Sequence, residues 1–268
     1  MNEKNKEQKT QYPPSTPERE EQVLEISVGD FFIISFICFL GPLYFCFLIF
    51  FGIEYLLFHF LKVSLIVHII IFPFLIIFLY IVYILVLIEI CALWVKRWNK
   101  VCPPQEGVFL RTLNGNTEEG KMLKYYHKRG FIIKFPMWIA SKSPFPWLLN
   151  RVLKRIGHNK IGENVIYCDA YAGLELTDIE DNVFIFPTSV LSSHAVNSIF
   201  GKITIMKIRL GKNTTLYPGV TVGSGAITQD GNVIYPNTLL HKNWRGESGK
   251  KFYRGSPAKP FNKEELSM

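Results

Sequence analysis

Residues Leu210–Leu239 read, in sixes, LGKNTT LYPGVT VGSGAI TQDGNV IYPNTL. The pieces are headed by Leu210, Leu216, Val222, Thr228 and Ile234, and Leu240 closes the series. A period of six is neither the 3.6 of a helix nor the simple alternation of an ordinary strand. Short fixed repeats build solenoids, because each unit buries its apolar face only against its neighbour. Each six supplies one short flat strand and a turn, and three sixes complete a triangular coil. The aliphatic head points to the axis and stacks on the head one coil away. Gly211 and Gly223 follow their heads, where the chain bends sharply and a side chain would crowd it. Asn213 sits where left-handed backbone geometry is expected. The pattern predicts an all-β left-handed parallel β-helix, an exception to the right-handed crossover rule. A leucine-rich repeat has a far longer unit.

The same beat runs upstream. Ile161 opens IGENVI, Tyr167 follows, and further sixes start at Ile179, Ile185 and Leu191, with Gly162, Asn164 and Asn182 at the turn positions. Leu191 and Leu210 are nineteen residues apart, not eighteen. An irregular connection is therefore expected between His194 and Leu210.

The rest of this 268-residue chain has a different composition. Residues 1–30 are polar and turn-rich, with too little apolar content to offset ordering entropy, so a disordered tail is expected. Its length and acidity, and the lack of a small-residue cleavage site, do not fit a signal peptide. Within 31–95, the stretches Phe31–Ile53 and Val63–Ile88 contain no Asp, Glu, Lys or Arg. Each exceeds the roughly 20 residues that cross a bilayer core, which predicts a two-span transmembrane helical hairpin. Gly41 and Pro42 are expected to kink the first span. Lys96, Arg97 and Lys100, among Trp94 and Trp98, put the following part of this multi-pass protein in the cytoplasm by the positive-inside rule. Glu89, near that end, could face another helix as an intramembrane acid, but the preferred expectation is that it reaches toward Lys96 or Arg97.

Residues 96–157 form a membrane-proximal connector, in which CPPQEGVF reads as a turn and NGNTEEG as a loop. From Trp147 to Ile156 the apolar residues have helical spacing, with Arg151, Lys154 and Arg155 on the other face. A basic amphipathic helix beside a membrane span suits an anionic leaflet, and its apolar side equally suits packing on the repeats. The β-helix is expected over 158–247 and a C-terminal tail over 248–268. The formal charge of +8 suits an anionic membrane face of lipid partners, and no nucleic-acid motif accompanies it. The five cysteines form no metal-ligand pair.

IGENV, LYPGVTVGSGAI and the terminal RGSPAKP resemble the hexapeptide-repeat acyltransferases, whose terminal Gly-x-Pro-Ala-Lys signature GSPAKP matches. The resemblance covers about residues 156–261. More narrowly, LLNRVLKRIGHNKIGENV and LELTDIEDNVFIFPTSVLSSHAV after membrane spans resemble the membrane-linked hexapeptide domains of poly-lysine synthetase-type nonribosomal peptide enzymes. This chain has one repeat domain where those enzymes have several, and no adenylation or carrier domain.

The resemblance implies a membrane-anchored acyltransferase. The donor would be acetyl-coenzyme A or another acyl or aminoacyl thioester, with an acyl- or peptidyl-carrier protein as the alternative to coenzyme A. The acceptor would be a hydroxyl or amine of a membrane-near molecule. It also implies a homotrimer that binds the donor arm between neighbouring subunits. By order and context His194, followed by an excursion and then YPGV, matches the family's catalytic histidine. Imidazole titrates near neutrality and suits a general base that takes the acceptor's proton. Ser192, Ser193 and Asn197 are near enough in sequence to orient the ring or to donate to the developing oxyanion. The terminal tail would border the donor: Gly255, Pro257 and Ala258 for a close-approaching turn, and Lys250, Lys251, Arg254 and Lys259 for nucleotide phosphates. The same tail also reads as a solvated cap. Zinc hydration chemistry on this fold needs three converging histidines, and His158, His194 and His241 lack ligand-like spacing, so no metal is expected. The remaining alternative is a non-catalytic trimeric membrane scaffold.

Overall fold

The computed structural model describes residues 28–262 and 264, apart from 113, 169, 173–174 and 198–200. The polar tail read as disordered lies almost wholly outside the described residues, as does the C-terminal end.

Two apolar helices come first. α1 (Val28–Tyr55) runs through Pro42 into a π-helical turn at Leu56–Phe60, and α2 (Leu65–Val101) returns alongside it. Both are long and apolar enough to cross a membrane. At about 1.5 Å per residue, α2 reaches roughly 55 Å, well beyond a bilayer core of about 30 Å. Its two halves differ accordingly. Leu65, Ile66 and Phe74 are exposed, whereas Ile84, Leu87, Ile88, Cys91, Ala92 and Val95 are buried against the rest of the protein.

The connector is more structured than its sequence suggests. Gly107–Leu110 is a strand, β1, where a turn was expected. Residues Glu118–Ser141 form α3, which starts inside the segment read as a loop. Thr117 caps α3, its Oγ1 accepting from Gly120 N at 3.1 Å, and Glu118 and Glu119 complement the helix dipole in the first turn. α3 packs on α2 and on α1, where Phe131 meets Phe31 and Phe135 meets Phe39 with ring centroids 5.0 and 4.3 Å apart. α4 (Pro146–Arg155) is the expected amphipathic helix. Leu148, Leu149, Val152 and Leu153 are buried in the core that continues into the first coil, each contributing about 1.5–3 kcal/mol.

The polar face of α4 corrects the sequence reading. Glu89 does not pair with Lys96 or Arg97. Glu89 instead accepts from Arg151 Nη2 at 2.9 Å and from Arg155. A carboxylate near the end of an apolar helix is satisfied at least cost by a second guanidinium-bearing element packed beside it.

The repeats follow as β2 (Asn159–Ile161), β3 (Ile166–Tyr167), β4 (Tyr171–Ala172), β5 (Thr177–Ile179), β6 (Phe184–Ile185), β7 (Val190–Leu191), β8 (His194–Asn197), β9 (Lys202–Ile205), β10 (Ile208–Leu210), β11 (Thr215–Leu216), β12 (Thr221–Val222), β13 (Val233–Ile234), β14 (Leu239–Leu240), β15 (Phe252–Arg254) and β16 (Lys259–Phe261). They stack as three parallel ladders: β2–β5–β10, β3–β6–β11–β13–β15 and β4–β7–β12–β14. The offset between partners is eighteen or nineteen residues outside the step across β8 and β9, as from Ile161 to Ile179, from Leu216 to Ile234 and from Val233 to Phe252. The expected heads Tyr167, Ile179, Ile185, Leu191, Leu210, Leu216, Val222, Ile234 and Leu240 are buried, whereas Ile161, at the entry to the coil, is half-buried. The polar head, Thr228, is buried too, and its Oγ1 accepts from Gly211 N at 2.9 Å.

The corners explain the glycines. A Cβ on Gly211 would lie 2.7 Å from Asp230 Oδ1, which accepts from Lys212 N at 3.0 Å. One corner of an earlier coil repeats this with Gly162, Asp181 and Glu163 N. Asn164, Asn182 and Asn213 have φ of 54°, 58° and 56°, as expected for left-handed positions.

Between β7 and β10 the ladder offset rises to thirty-one residues, from Ile179 to Leu210 and from Leu191 to Val222. Thirteen residues therefore leave the coil, where the sequence showed only a one-residue phase slip. They form the hairpin β8–β9, and β1 adds to its outer edge to make a three-stranded antiparallel sheet.

Candidate active site

His194 is the first residue of β8, at the point where the chain leaves the coil. Three elements place it. The coil fixes its base: Ser193 is buried, and its carbonyl accepts from Ser224 Oγ at 2.9 Å and from Met206 N at 2.8 Å. The hairpin fixes its direction, pairing His194 with Ile205. α3 covers it, with the Tyr126 ring edge-on to the imidazole at a centroid distance of 5.7 Å. Tyr126 in turn packs on a second apolar cluster of Cys102, Met122, Leu123, Leu176, Ile203 and Ile205, which joins α3 to the hairpin.

The serines take different parts. Ser192 Oγ donates to the His194 carbonyl at 2.7 Å and lies 3.5 Å from Nδ1. It is the hydroxyl beside the ring, whereas Ser193 acts on the site through its backbone carbonyl. Asn197 ends β8 opposite Lys202, and its side chain lies outside the described residues.

The electrostatics favour a neutral imidazole. Burial pushes His194 below the ordinary histidine value, and the ammonium of Lys134 adds to the shift. His127, next to Tyr126 on α3, is lowered by burial first, then by Arg111, His194 and Lys134. The two histidines thus stand in one positive field.

Behind the site, α3 is tied to the first coil by an ion pair. Arg129, fully buried, donates to Glu175 and, at 2.9 Å, to the carbonyl of Cys102. Burial pushes the Glu175 carboxyl up, against the pull of the guanidinium. Tyr126, His127, Arg129 and Lys134 were not singled out in the sequence. The usable signal was Thr117-Glu118-Glu119, a helix start ahead of the aromatic run.

The seven tail residues divide into two groups. Lys250 and Lys251 line a cavity of about 520 Å³ with Asp230, Glu247 and Ser248. Arg254, Gly255, Pro257, Ala258 and Lys259 build the β15–β16 hairpin, where Arg254 lies over the Phe261 ring at 4.7 Å and pairs with Lys259. Gly255 has φ of 94°, the left-handed region that favours glycine. This turn sits on top of β14, through Leu239 N to the Gly255 carbonyl and Ala258 N to the Leu239 carbonyl. It stands three strand spacings above β7, about 14 Å along the ladder that leads to His194.

No protein-family model and no curated protein sequence matches the chain. Solved structures do. The chain is similar to hexapeptide-repeat acetyltransferases. A maltose O-acetyltransferase from Clostridium difficile 630 overlaps 55% of this chain and 89% of its own, at 15% identity and a TM-score of 0.43. A hexapeptide-repeat acetyltransferase from Vibrio cholerae O1 biovar eltor, complexed with acetyl-coenzyme A, covers 56% and 91%, at 11% identity and a TM-score of 0.40. A galactoside acetyltransferase in complex with coenzyme A covers 63% and 90%, at 15% identity and a TM-score of 0.33.

Proposed function

We propose that the protein is an acyltransferase of the left-handed β-helix type, anchored in a membrane by α1 and α2 with its repeats on the cytoplasmic side. The observation that carries this reading is the position of His194, half-buried at the root of a thirteen-residue excursion and kept neutral by burial and Lys134. A neutral imidazole is what general-base attack on a thioester requires.

His194 takes the proton of an acceptor hydroxyl or amine as that atom attacks the thioester carbonyl. The carbonyl–sulfur bond breaks, the acyl group passes to the acceptor, and the imidazolium returns its proton to the leaving thiolate. Ser192, beside Nδ1, orients the ring. The donor is an acyl thioester of coenzyme A or a carrier protein. A long, thin donor would run along the third ladder from the GSPAKP turn to His194, with Arg254 and Lys259 near its phosphate end. A homotrimer would place that groove between neighbouring coils.

Membrane proximity of the acceptor is supported by α3. Tyr126, on the histidine, and Phe135, on α1, are nine residues apart on one helix, about 14 Å. An acceptor held in the leaflet would be concentrated beside His194 without high intrinsic affinity.

The deciding experiment uses the full-length protein in vesicles of extracted native lipid, with acetyl-coenzyme A and thiol release as the readout. His194→Ala should lose at least about a hundredfold in rate, the lower end of general-base contributions. Near wild-type turnover in that variant, with the protein intact, would remove His194 from the mechanism. Stoichiometric coenzyme A binding without any turnover in the wild type would favour the scaffold reading.

A further inference from the structure

The ion pair between α2 and α4 holds more cation than its carboxylate needs. Arg151 donates from Nη2 to Glu89 Oε1 at 2.9 Å. Arg155, one turn further along α4, donates from Nε to both carboxylate oxygens at 3.1 Å and from Nη2 to Oε2. Two guanidiniums are thus oriented by one carboxylate, and one positive charge stays uncompensated. Each guanidinium presents its donors in a fixed planar fork. Nε and Nη1 of Arg151 and Nη1 of Arg155 have no partner among the described residues, and both side chains are 44% exposed. Trp147, one turn before Arg151 on the same face of α4, is exposed, and so is Leu93, one turn beyond Glu89 on α2. The depth of the cluster follows from α2. Glu89 stands about 36 Å along that helix from Leu65, at about 1.5 Å per residue. That is past a hydrocarbon core of about 30 Å and inside the roughly 40–45 Å that includes the headgroups.

We propose that Arg151 and Arg155, oriented by Glu89, form a phosphate-binding site for an anionic phospholipid in the leaflet next to the repeats. The ligand chemistry is a phosphoryl group, whose oxygens match the guanidinium forks. The headgroup depth and the exposed Trp147 and Leu93 assign that phosphate to a lipid, because the two apolar side chains would meet the start of its acyl chains. The uncompensated charge selects an anionic headgroup over a zwitterionic one. Glu89 keeps both forks in place while the site is empty, so less side-chain freedom is lost when the phosphate arrives. The inference rests on the membrane anchoring by α1 and α2 and is independent of the chemistry at His194.

The test uses full-length protein in two steps. Flotation with phosphatidylcholine vesicles reports the anchoring, and a protein that stays in the aqueous fraction overturns the anchor and this site together. Native mass spectrometry from detergent micelles, titrated with phosphatidic acid, phosphatidylglycerol or phosphatidylcholine, then reads the site alone. The wild type should hold the two anionic lipids at least about fivefold more tightly than phosphatidylcholine. Equal retention of all three, a result that needs no variant, overturns the site even where flotation succeeds. Arg151→Lys combined with Arg155→Lys keeps both charges and loses the forks, and it should weaken phosphatidic acid binding at least about fivefold. Lys154→Gln removes a charge from the same helix and leaves the forks, and it should change that binding by less than about twofold. Attraction by charge alone predicts the reverse ranking, and that ranking overturns the proposal. Inorganic phosphate, at the concentration that saturates the site with phosphatidic acid, should not bind. Equal binding of inorganic phosphate would overturn the lipid as the ligand.

Discussion

The coil and its cover are stabilised in opposite ways. In the coil the main contacts recur: a buried head, a glycine corner and an Asp or Asn from the next coil return about eighteen residues on. The cover, made of α3, β1 and the β8–β9 hairpin, repeats nothing. It is joined by partners far apart in sequence, such as Phe109 with Ile203 and Arg129 with Glu175. A repeated contact tolerates local damage because its neighbours are equivalent. A unique contact carries its part alone, and that part here is the wall over His194.

The sharpest way to break this contrast is at Arg129. Arg129→Ala leaves Glu175 buried without its cation, and losing one partner of a buried pair costs about 3–5 kcal/mol. The loss should be local. Hydrogen exchange on the full-length protein should show early opening of the α3 and β1 amides while β11–β14 stay protected. Replacing both partners, Arg129→Met with Glu175→Leu, should recover most of that loss, since well-packed apolar residues often match a buried ion pair. Loss of coil protection in Arg129→Ala would mean that coil and cover unfold as one unit.

A smaller effect separates the two regions by their glycines. Gly211→Ala would drive a Cβ into Asp230 and the backbone beneath it, at a cost of about 1–3 kcal/mol. Gly130, in α3, has nothing within 4 Å of where a Cβ would stand. Gly130→Ala should stabilise the helix by about 0.5–1 kcal/mol. Thermal unfolding of the two variants should move in opposite directions, and a shared sign would undo the assignment of corner and helix glycines to different constraints.

These regions also differ in how far they could be read from sequence. The coil was legible because its information is local and periodic: the heads, the left-handed asparagines and the terminal turn each sit within six residues of the next signal. The excursion was visible only as a phase slip of one, because thirteen residues modulo six hides two whole turns of the beat. β1 was read as a turn because its partner lies about a hundred residues away. The Glu89 pairing failed for the same reason, since nothing in the local sequence points to α4 as the element packed there. His194 was singled out through its place in the repeat, and Tyr126 and His127 were not, because only tertiary packing brings α3 to it.

The smallest expected effect tests whether the cover tunes the chemistry or only shelters it. His194 lies under Tyr126 from α3 with His127 in its field, has Ser192 just before its strand, and stands opposite β9, whose Thr204 accepts from Lys242 Nζ at 3.0 Å. Burial and Lys134 both push its pKa below the ordinary value. A base works when unprotonated, so the acid limb of kcat/KM should fall below the usual histidine midpoint of about 6.5. Lys134→Gln removes one cation and leaves the burial. The limb should therefore move upward, toward that midpoint without reaching it, with the rate on the alkaline plateau unchanged. Lys134→Arg should leave the limb where it is. Because burial is the larger cause, a limb that reached the full unperturbed value in Lys134→Gln would show that the cover no longer closes over the ring. A limb that did not move would assign the shift to burial alone and reduce α3 from an electrostatic wall to a steric one.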